Sequence, residues 1–215
     1  MSIAEKFEVI ADEVYEKGIS DERYRFWKSI TDNGNRTNYS YAFMYGWSQD
    51  EFDCPPELFK PLTLEQAFVY NEIKKIDIDT SACTTLNHAF FRSGAYEIGV
   101  VDCRNATSLY RLFCMDSNLT AVQKVIVKEE NTYGQTFEWC DKIEHIIFEG
   151  TIGQNGFDIS MHTRLDHESL MSIINCLKDY SDSEETYKIT FGSGNLAKLT
   201  DEEIGIIETK GWDYA

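Results

Sequence analysis

The chain has 215 residues, 42% of them hydrophobic and 13% aromatic, which is enough for a packed core and excludes intrinsic disorder. Its 37 acidic residues outnumber its 20 basic residues, and the net charge of -17 argues against a nucleic-acid partner. The sequence contains no apolar run of about 18 residues, so no membrane span or membrane partner is expected. The N-terminus lacks the pattern of a signal peptide, which predicts a protein that stays in the cytoplasm or leaves by a route other than a cleaved signal.

Two amphipathic helices are predicted at the N-terminus. The first covers residues 2–17, where Ser2 and Glu5 form a capping box and apolar residues recur at helical spacing. The second covers about residues 21–31 and brings three apolar side chains to one side, namely Tyr24, Trp27 and Ile30. The apolar stripe of the first helix needs a partner, either the rest of this chain or a second copy in a homo-oligomer.

An aromatic stretch and a proline-rich segment follow these helices. Residues 38–47, NYSYAFMYGW, alternate aromatic and smaller side chains and predict a strand or hairpin arm. All three prolines fall within residues 54–61, which predicts a boundary there. Residues 1–60 are therefore expected to form a helical and aromatic cap. The alternating rings are interpreted as the cover of whatever follows rather than as a sugar-stacking platform: Tyr39, Tyr41, Phe43, Tyr45 and Trp47.

A short phrase then recurs four times. It reads TLEQAF (63–68), TLNHAF (85–90), TSLYRLF (107–113) and TYGQTF (132–137). Each copy has Leu or Tyr four residues before Phe, and the pairs are Leu64/Phe68, Leu86/Phe90, Leu109/Phe113 and Tyr133/Phe137. Each is followed by a β-branched run: IDI (76–78), VVDC (100–103), VIV (125–127) and IIF (146–148).

The spacing of the phrase predicts the fold class. Successive copies are 22, 23 and 24 residues apart, counted from 64 to 86, 109 and 133. One helical or turn segment and one short strand per unit of this length is typical of a leucine-rich-repeat solenoid. We therefore expect an α/β chain in which residues 61–160 stack their Leu–Phe pairs and align their strands as a parallel sheet on one face.

The rhythm changes after the repeats, and residues 161–215 are expected to form an α/β cap that continues the solenoid. A last short strand is predicted near 156–160. A helix over 165–181 begins at Asp166, and a strand follows at 187–191. A second helix over 200–211 has a Thr200/Glu203 capping box, and residues 212–214 are a candidate edge strand.

The last repeat carries a family resemblance. In FEWCDKIEHIIF (137–148) the opening Phe is followed by Cys at +3, Ile at +6 and +9, and Phe at +11. This resembles the F-x-x-C-x-x-L-x-x-I-x-I core of BspA-like leucine-rich-repeat proteins. Residues 25–47 and 167–212 are also similar to terminal segments of short repeat proteins from gut Firmicutes and their prophage regions. The resemblance implies a binding scaffold, and the lack of a wall anchor favours a phage- or prophage-associated structural or attachment protein.

Catalytic and metal-binding motifs do not stand out. For GSGNL (192–196) a turn is favoured over a phosphate-binding loop, because the segment lacks the Lys and Ser/Thr of such a loop. His162, Asp166 and His167 lie close in sequence but would need a folded-back loop and a fourth ligand to hold a metal. The six scattered cysteines lack zinc spacing and are expected to be free, mostly buried thiols. We therefore expect no cofactor and no resident metal.

The outward positions of the strands form the candidate binding face. The residues assigned to it are Lys75, Asp77, Asp102, Lys124, Ile126, Lys128, His145, Ile147 and Asp158. Ile126 and Ile147 would form an apolar patch, unless a helix, a neighbouring chain or the cap covers them. The expected function is non-enzymatic binding of a protein or glycan surface. A cytoplasmic scaffold is the alternative, and a glycan-active enzyme on a solenoid is a further one.

Overall fold

The computed structural model describes residues 20–215, which form a mixed α/β fold with two parallel sheets. Its elements are helix α1 (Asp21–Ile30), strands β1 (Lys75–Ile76), β2 (Glu97–Asp102), β3 (Ala121–Val127), β4 (His145–Gly150) and β5 (Phe157–Asp158), helix α2 (His167–Cys176), strand β6 (Tyr187–Thr190), helices α3 (Ser193–Leu196) and α4 (Asp201–Thr209), and strand β7 (Trp212–Tyr214). The helix predicted over 2–17, and the oligomer contact assigned to it, lie outside the described residues. None of the helices within residues 20–215 has the length and apolar composition needed to cross a membrane.

The first sheet has the order β1-β2-β3-β4, with every neighbouring pair parallel, as the repeat predicted. The inward positions are buried β-branched or aromatic side chains such as Ile98, Val125 and Ile146. β2 and β3 begin earlier than their apolar runs, at Glu97 and Ala121, because main-chain pairing with the neighbouring strand extends over polar residues. A bulge in β3 shifts the register against β4.

The recurring phrases are turns and not helical segments, and they bond to one another in series. The backbone N–H of Phe43 donates to the carbonyl of Ala67 at 2.9 Å, and Phe68 donates to Ala89 at 2.9 Å. The same bonds run from Phe90 to Leu112 and from Phe113 to Thr136, both at 2.9 Å. These bonds satisfy main-chain groups that a packed turn would otherwise bury without a partner.

The expectation of a strand over residues 38–47 is wrong, because this segment is a further copy of the turn. Its N–H groups donate to carbonyls of the 63–69 turn, and Asn38 forms a parallel bridge with Thr63. Tyr39 and Phe43 are buried while Tyr41 and Tyr45 are exposed. Tyr41 and Tyr45 have φ of 60° and 54°, so left-handed residues produce the alternation that a strand would also produce.

The phenylalanines of five successive turns stack in the core. Ring centroids are 5.1 Å apart between Phe43 and Phe68, 5.5 Å between Phe68 and Phe90, 5.7 Å between Phe90 and Phe113, and 5.3 Å between Phe113 and Phe137. All four pairs lie within 22° of parallel. The Leu–Phe pairs are therefore interior, as predicted, and they belong to one continuous core.

Helix α1 covers the first turn and confirms the helix predicted over 21–31. Trp27 is fully buried and stacks on Trp47 at 5.7 Å. Arg23 pairs with Asp53 at 2.7 Å, and the Trp27 indole also donates to the Asp53 carboxylate at 3.1 Å. These contacts tie the helix to the chain segment that precedes β1.

Helix α2 protects the edge of the first sheet. The hydroxyls of Ser169 and Ser172 accept the backbone N–H groups of Ile146 and Phe148 in β4, at 2.9 and 3.0 Å. These hydroxyls lie one helical turn apart and replace the carbonyls of a missing strand. Asp166 is the N-cap, as predicted, but the helix ends at Cys176 because Leu177 is extended and bridges Ile152.

The C-terminal segment forms the second parallel sheet, with the order β5-β6-β7. The predicted Thr200/Glu203 capping box is present at α4, and β7 lies at the sheet edge as expected. The turn expected over 192–196 is instead the short helix α3, held by the Asn195 amide, which donates to the carbonyls of Ile159 and Phe191. All six cysteines are free, and five of them are buried.

Candidate functional site

The outward side chains of β1–β4, here called the strand face, hold most of the residues predicted to bind a partner. Val125 and Val127 are buried while Ile126 between them is half-buried, which confirms the predicted orientation. Ile147 is half-buried in the same way. In the register of β3 and β4, however, Ile126 pairs with Glu149 and not with Ile147. The two isoleucines are therefore staggered rather than directly opposite.

Charged side chains on the strand face pair with one another across neighbouring strands. Lys75 lies 3.1 Å from Glu97, and Lys124 lies 2.7 Å from Glu149. The hydrogen bond from Gln123 lowers the pKa of Glu97 most, and the hydrogen bond from Lys75 lowers it further. His145 contacts Asp166 at 2.7 Å. A partner would have to break these pairs to use the charges, and exposed pairs of this kind contribute little stability.

Two residues assigned to the strand face do not contribute an exposed side chain to it. Asp102 is only 6% exposed, because the Arg104 guanidinium lies over it at 2.6 Å. That hydrogen bond lowers the pKa of Asp102. Asp158 is exposed, but it belongs to β5 in the second sheet. Of the remaining assigned residues, Lys128 follows β3 directly.

A cleft lies at the β1 end of the strand face. It has a volume of about 520 Å³ and is lined by residues 51–56 together with Lys75 and Asp77. Gly99 of β2 leaves room for the Asp77 carboxylate, which would lie 2.1 Å from an added Cβ. Cys54 on the other wall has its pKa raised to about 12 by burial, so it is a neutral thiol at physiological pH.

The residues considered for a metal site do not come together. Asp166 accepts from the backbone of Ser169 and contacts His145, while His167 contacts Glu203 at 2.9 Å. His162 is buried against Phe137 instead, at 6.0 Å between ring centroids. Within residues 20–215, no group of three or more His, Cys, Asp or Glu side chains is placed to hold a metal ion.

A different surface is formed by the turns. Each of the five turns has one left-handed residue two positions before its stacked Phe and another two positions after it. The earlier ones are Tyr41, Gln66, His88, Arg111 and Gln135, and the later ones are Tyr45, Tyr70, Arg92, Met115 and Trp139. Twelve described non-glycine residues have positive φ, and ten of them are these, the others being Asp32 and Asn33.

The later left-handed residues form what we call the outer column. Tyr45 and Tyr70 stack at 5.2 Å with an interplanar angle of 8°. The Arg92 guanidinium donates to the Tyr70 hydroxyl at 2.6 Å and contacts the Met115 sulfur at 3.2 Å. Tyr45, Tyr70 and Trp139 are 62%, 41% and 51% exposed. From Tyr45 to Met115 the column is thus a row of contacting aromatic, guanidinium and thioether groups, and Trp139 follows at the same position of the fifth turn.

A groove follows the outer column. It has a volume of about 590 Å³, and the column residues from Tyr70 to Trp139 form one wall. The other residues of the groove are small or polar: Asn71, Glu72, Ser93, Gly94, Ser117, Asn118 and Asp141. A Cβ on Gly94 would lie 2.7 Å from the carbonyl of Asn71, so glycine is required where this turn crosses the preceding one.

Sequence reasoning missed the outer column, although part of the signal was present. The phrase was read from its hydroxyl residue to its Phe, and the column lies two residues further on. Aromatic residues occur at that position in three turns, as Tyr45, Tyr70 and Trp139, but Arg92 and Met115 in the other two break the aromatic pattern. Large residues at left-handed positions also run against ordinary turn preferences, which favour Gly, Asn or Asp.

Comparison with known proteins adds no identity to this geometry. No protein-family model, no curated protein and no solved structure matches the chain. The two outer surfaces and the contacts within them are therefore what a functional proposal has to explain.

Proposed function

We propose that the protein is a non-enzymatic leucine-rich-repeat solenoid that binds a protein or glycan through the groove beside its outer column. Five bonded turns, a stack of five Phe rings and a four-strand parallel sheet support the solenoid. The resemblance of residues 137–148 to BspA-like repeats supports the same fold. Repeat scaffolds of this type bind partners on their extended surfaces.

The outer column is the observation that carries the proposal. A large side chain in the left-handed region costs of order 1–3 kcal/mol and persists where the surrounding structure or a function requires it. Tyr70 and Trp139 occupy this region with φ of 54° and 64°, while their rings remain substantially exposed. Folding alone would be served by Gly or Asn at these positions. We infer that the rings are retained for contact with a partner.

The chemistry of the groove suits recognition by stacking and hydrogen bonding. Tyr, Trp, Arg and Met are the residue types enriched at protein interfaces, and all four occur in the outer column. Exposed rings also stack on the apolar faces of sugars. Asn71, Asn118 and Asp141 provide amide and carboxylate groups for polar contacts along the groove.

The biological setting follows from the resemblance alone. A phage- or prophage-associated structural or attachment protein is our proposal, and a cytoplasmic scaffold is the alternative. Genes for tail or capsid proteins beside the coding gene would favour the first, and a neighbourhood without phage genes would favour the second.

The binding proposal is tested on an array of bacterial glycans and surface proteins probed with the intact chain. We expect reproducible binding to a small set of related ligands. Binding to none of them would contradict the proposal. Turnover of any bound glycan, abolished by replacement of one carboxylate, would overturn the non-enzymatic assignment in favour of a glycan-active enzyme.

A further inference from the structure

The fifth turn, residues 132–139, is the last of the series, and most of its backbone N–H groups lack the bonds that the earlier turns make to the turn that follows. In the fourth turn the N–H groups of Arg111, Phe113 and Met115 donate to carbonyls of the fifth, at 2.9, 2.9 and 2.7 Å. The N–H groups of Gln135 and Phe137, which correspond to those of Arg111 and Phe113, form no hydrogen bond with any described residue. The N–H of Thr136 between them also lacks the bond that Leu112 makes within its own turn. Two donors of the turn-to-turn series, Gln135 and Phe137, therefore have no hydrogen-bond partner among the described residues, and neither has Thr136 between them.

These donors border a cavity. The cavity has a volume of about 390 Å³ and lies between residues 133–138 and residues 154–162. That volume falls within the range typical of small-ligand sites. Successive backbone N–H groups around a left-handed residue form a concavity that binds an electronegative atom, and Gln135 is left-handed with φ of 54°.

The chain itself indicates which chemistry completes the series. The N–H of Tyr133, the first donor of the fifth turn, bonds to the side-chain amide oxygen of Gln154 at 2.5 Å. An amide oxygen thus occupies the place that the carbonyl of a following turn would take. The next three donors are open to the same kind of acceptor, supplied from outside the chain.

The charge around the cavity distinguishes a carbonyl from an anion. Glu138 and Asp158 line it, and no Lys or Arg from the described part of the chain does. His162 lies in its wall with both ring nitrogens unpaired. Burial lowers the pKa of His162, so the imidazole is neutral at physiological pH. Among the described residues, a negatively charged ligand would meet two carboxylates and no cation.

We propose that this cavity is a binding site for the carbonyl groups of a neutral peptide segment, whose oxygens complete the donor series of Gln135, Thr136 and Phe137. The segment would lie between the fifth turn and residues 154–162, as in other cases where a peptide extends an open hydrogen-bonded edge. The site is separate from the groove beside the outer column.

Amide hydrogen exchange of the intact protein tests the premise. The N–H groups of Gln135, Thr136 and Phe137 should exchange much faster than the matched, bonded N–H groups of Arg111 and Phe113. Equal protection in the free protein would mean that the donors already have partners and would overturn the proposal.

A titration tests the ligand chemistry. Acetyl-trialanine amide should shift the amide resonances of Gln135, Thr136 and Phe137 and slow their exchange, without affecting Arg111 and Phe113. Acetate at the same concentration should produce shifts at least tenfold smaller. Asp158→Asn should leave the peptide effect within twofold while enhancing that of acetate. Stronger binding of acetate by the unmodified protein, or no response to either probe, would overturn the proposal.

Discussion

The strand face and the surface formed by the five turns, called the turn face, repeat with the same period, yet they use their outward positions differently. On the strand face, charged residues meet partners across the sheet, as Lys75 does with Glu97 and Lys124 with Glu149. On the turn face, the outer column of Tyr45, Tyr70, Arg92, Met115 and Trp139 leaves aromatic rings exposed. The charges of the strand face are engaged with one another, whereas the residues of the outer column contact one another and still leave their rings exposed to a partner.

The backbone explains why the difference is informative. Outward strand positions have ordinary extended geometry, which almost any residue adopts, so their side chains respond mainly to their neighbours. The outer column requires left-handed geometry, which restricts residue choice. The earlier left-handed positions also hold large residues, so the exposure of the Tyr and Trp rings, together with this geometry, indicates a requirement for the side chains themselves.

The largest loss of stability should come from a change in the stack of buried Phe rings beneath the turn face. Phe113→Ala removes a fully buried ring that stacks on Phe90 and Phe137, and it should lower the free energy of unfolding by about 3–5 kcal/mol. Tyr110→Ala, an exposed residue in the same turn, is the matched control and should cost less than about 1 kcal/mol. Equal urea midpoints for the two variants would contradict an interior Phe stack.

The second effect is a pH dependence of the free energy of unfolding, and it comes from the buried carboxyl group of Asp116. Burial raises the pKa of Asp116 from 3.8 to about 7, despite hydrogen bonds from Ser93 and the backbone. Between these values the folded state holds a proton that the unfolded state has lost, so the stability contributed by this group falls as pH rises from about 4 to 7. Asp116→Asn does not titrate and should exceed the unmodified protein by about 2–4 kcal/mol at pH 8, with little advantage at pH 4.

The Asp116 prediction is checked by urea unfolding of both proteins across that pH range. Comparing the two chains cancels the contribution of every other titrating group. An advantage of Asp116→Asn that stays constant from pH 4 to 8 would show that Asp116 is already ionised in the fold.

The outer column should tolerate substitution with little loss of stability. Tyr70→Asn removes the stack on Tyr45 and the bond from Arg92, but Asn is at ease in the left-handed region. These effects oppose each other, and the free energy of unfolding should change by less than about 1 kcal/mol. A loss as large as that of Phe113→Ala would make the column part of the fold rather than a free surface.

The smallest effect is expected on the strand face. Ile126→Asp combined with Ile147→Asp adds charge to two staggered, half-buried positions. Binding of any ligand found on the array should change by less than about twofold, because we place the contact on the other surface. A loss of binding at unchanged stability would return recognition to the strand face.

The sequence predicted most of the interior and little of the outer surface. The repeat length, the inward and outward sides of the strands and the interior Leu–Phe pairs could be predicted because buried positions require apolar residues at regular spacing. The strand predicted over residues 38–47 is wrong because left-handed turns and strands both alternate buried and exposed side chains. The exposure expected of Asp102 is wrong because Arg104 covers it, a contact between outward side chains that periodicity does not encode. The outer column lay outside the phrase that defined the repeat.

The central claim is tested most directly by calorimetric titration of the tightest array ligand into three proteins. These are the unmodified chain, Tyr70→Asn/Trp139→Asn and Ile126→Asp/Ile147→Asp. We predict that the outer-column variant loses at least tenfold in affinity, about 1.4 kcal/mol, while the strand-face variant binds as the unmodified chain does. The reverse pattern, with affinity lost only in the strand-face variant, would contradict the account.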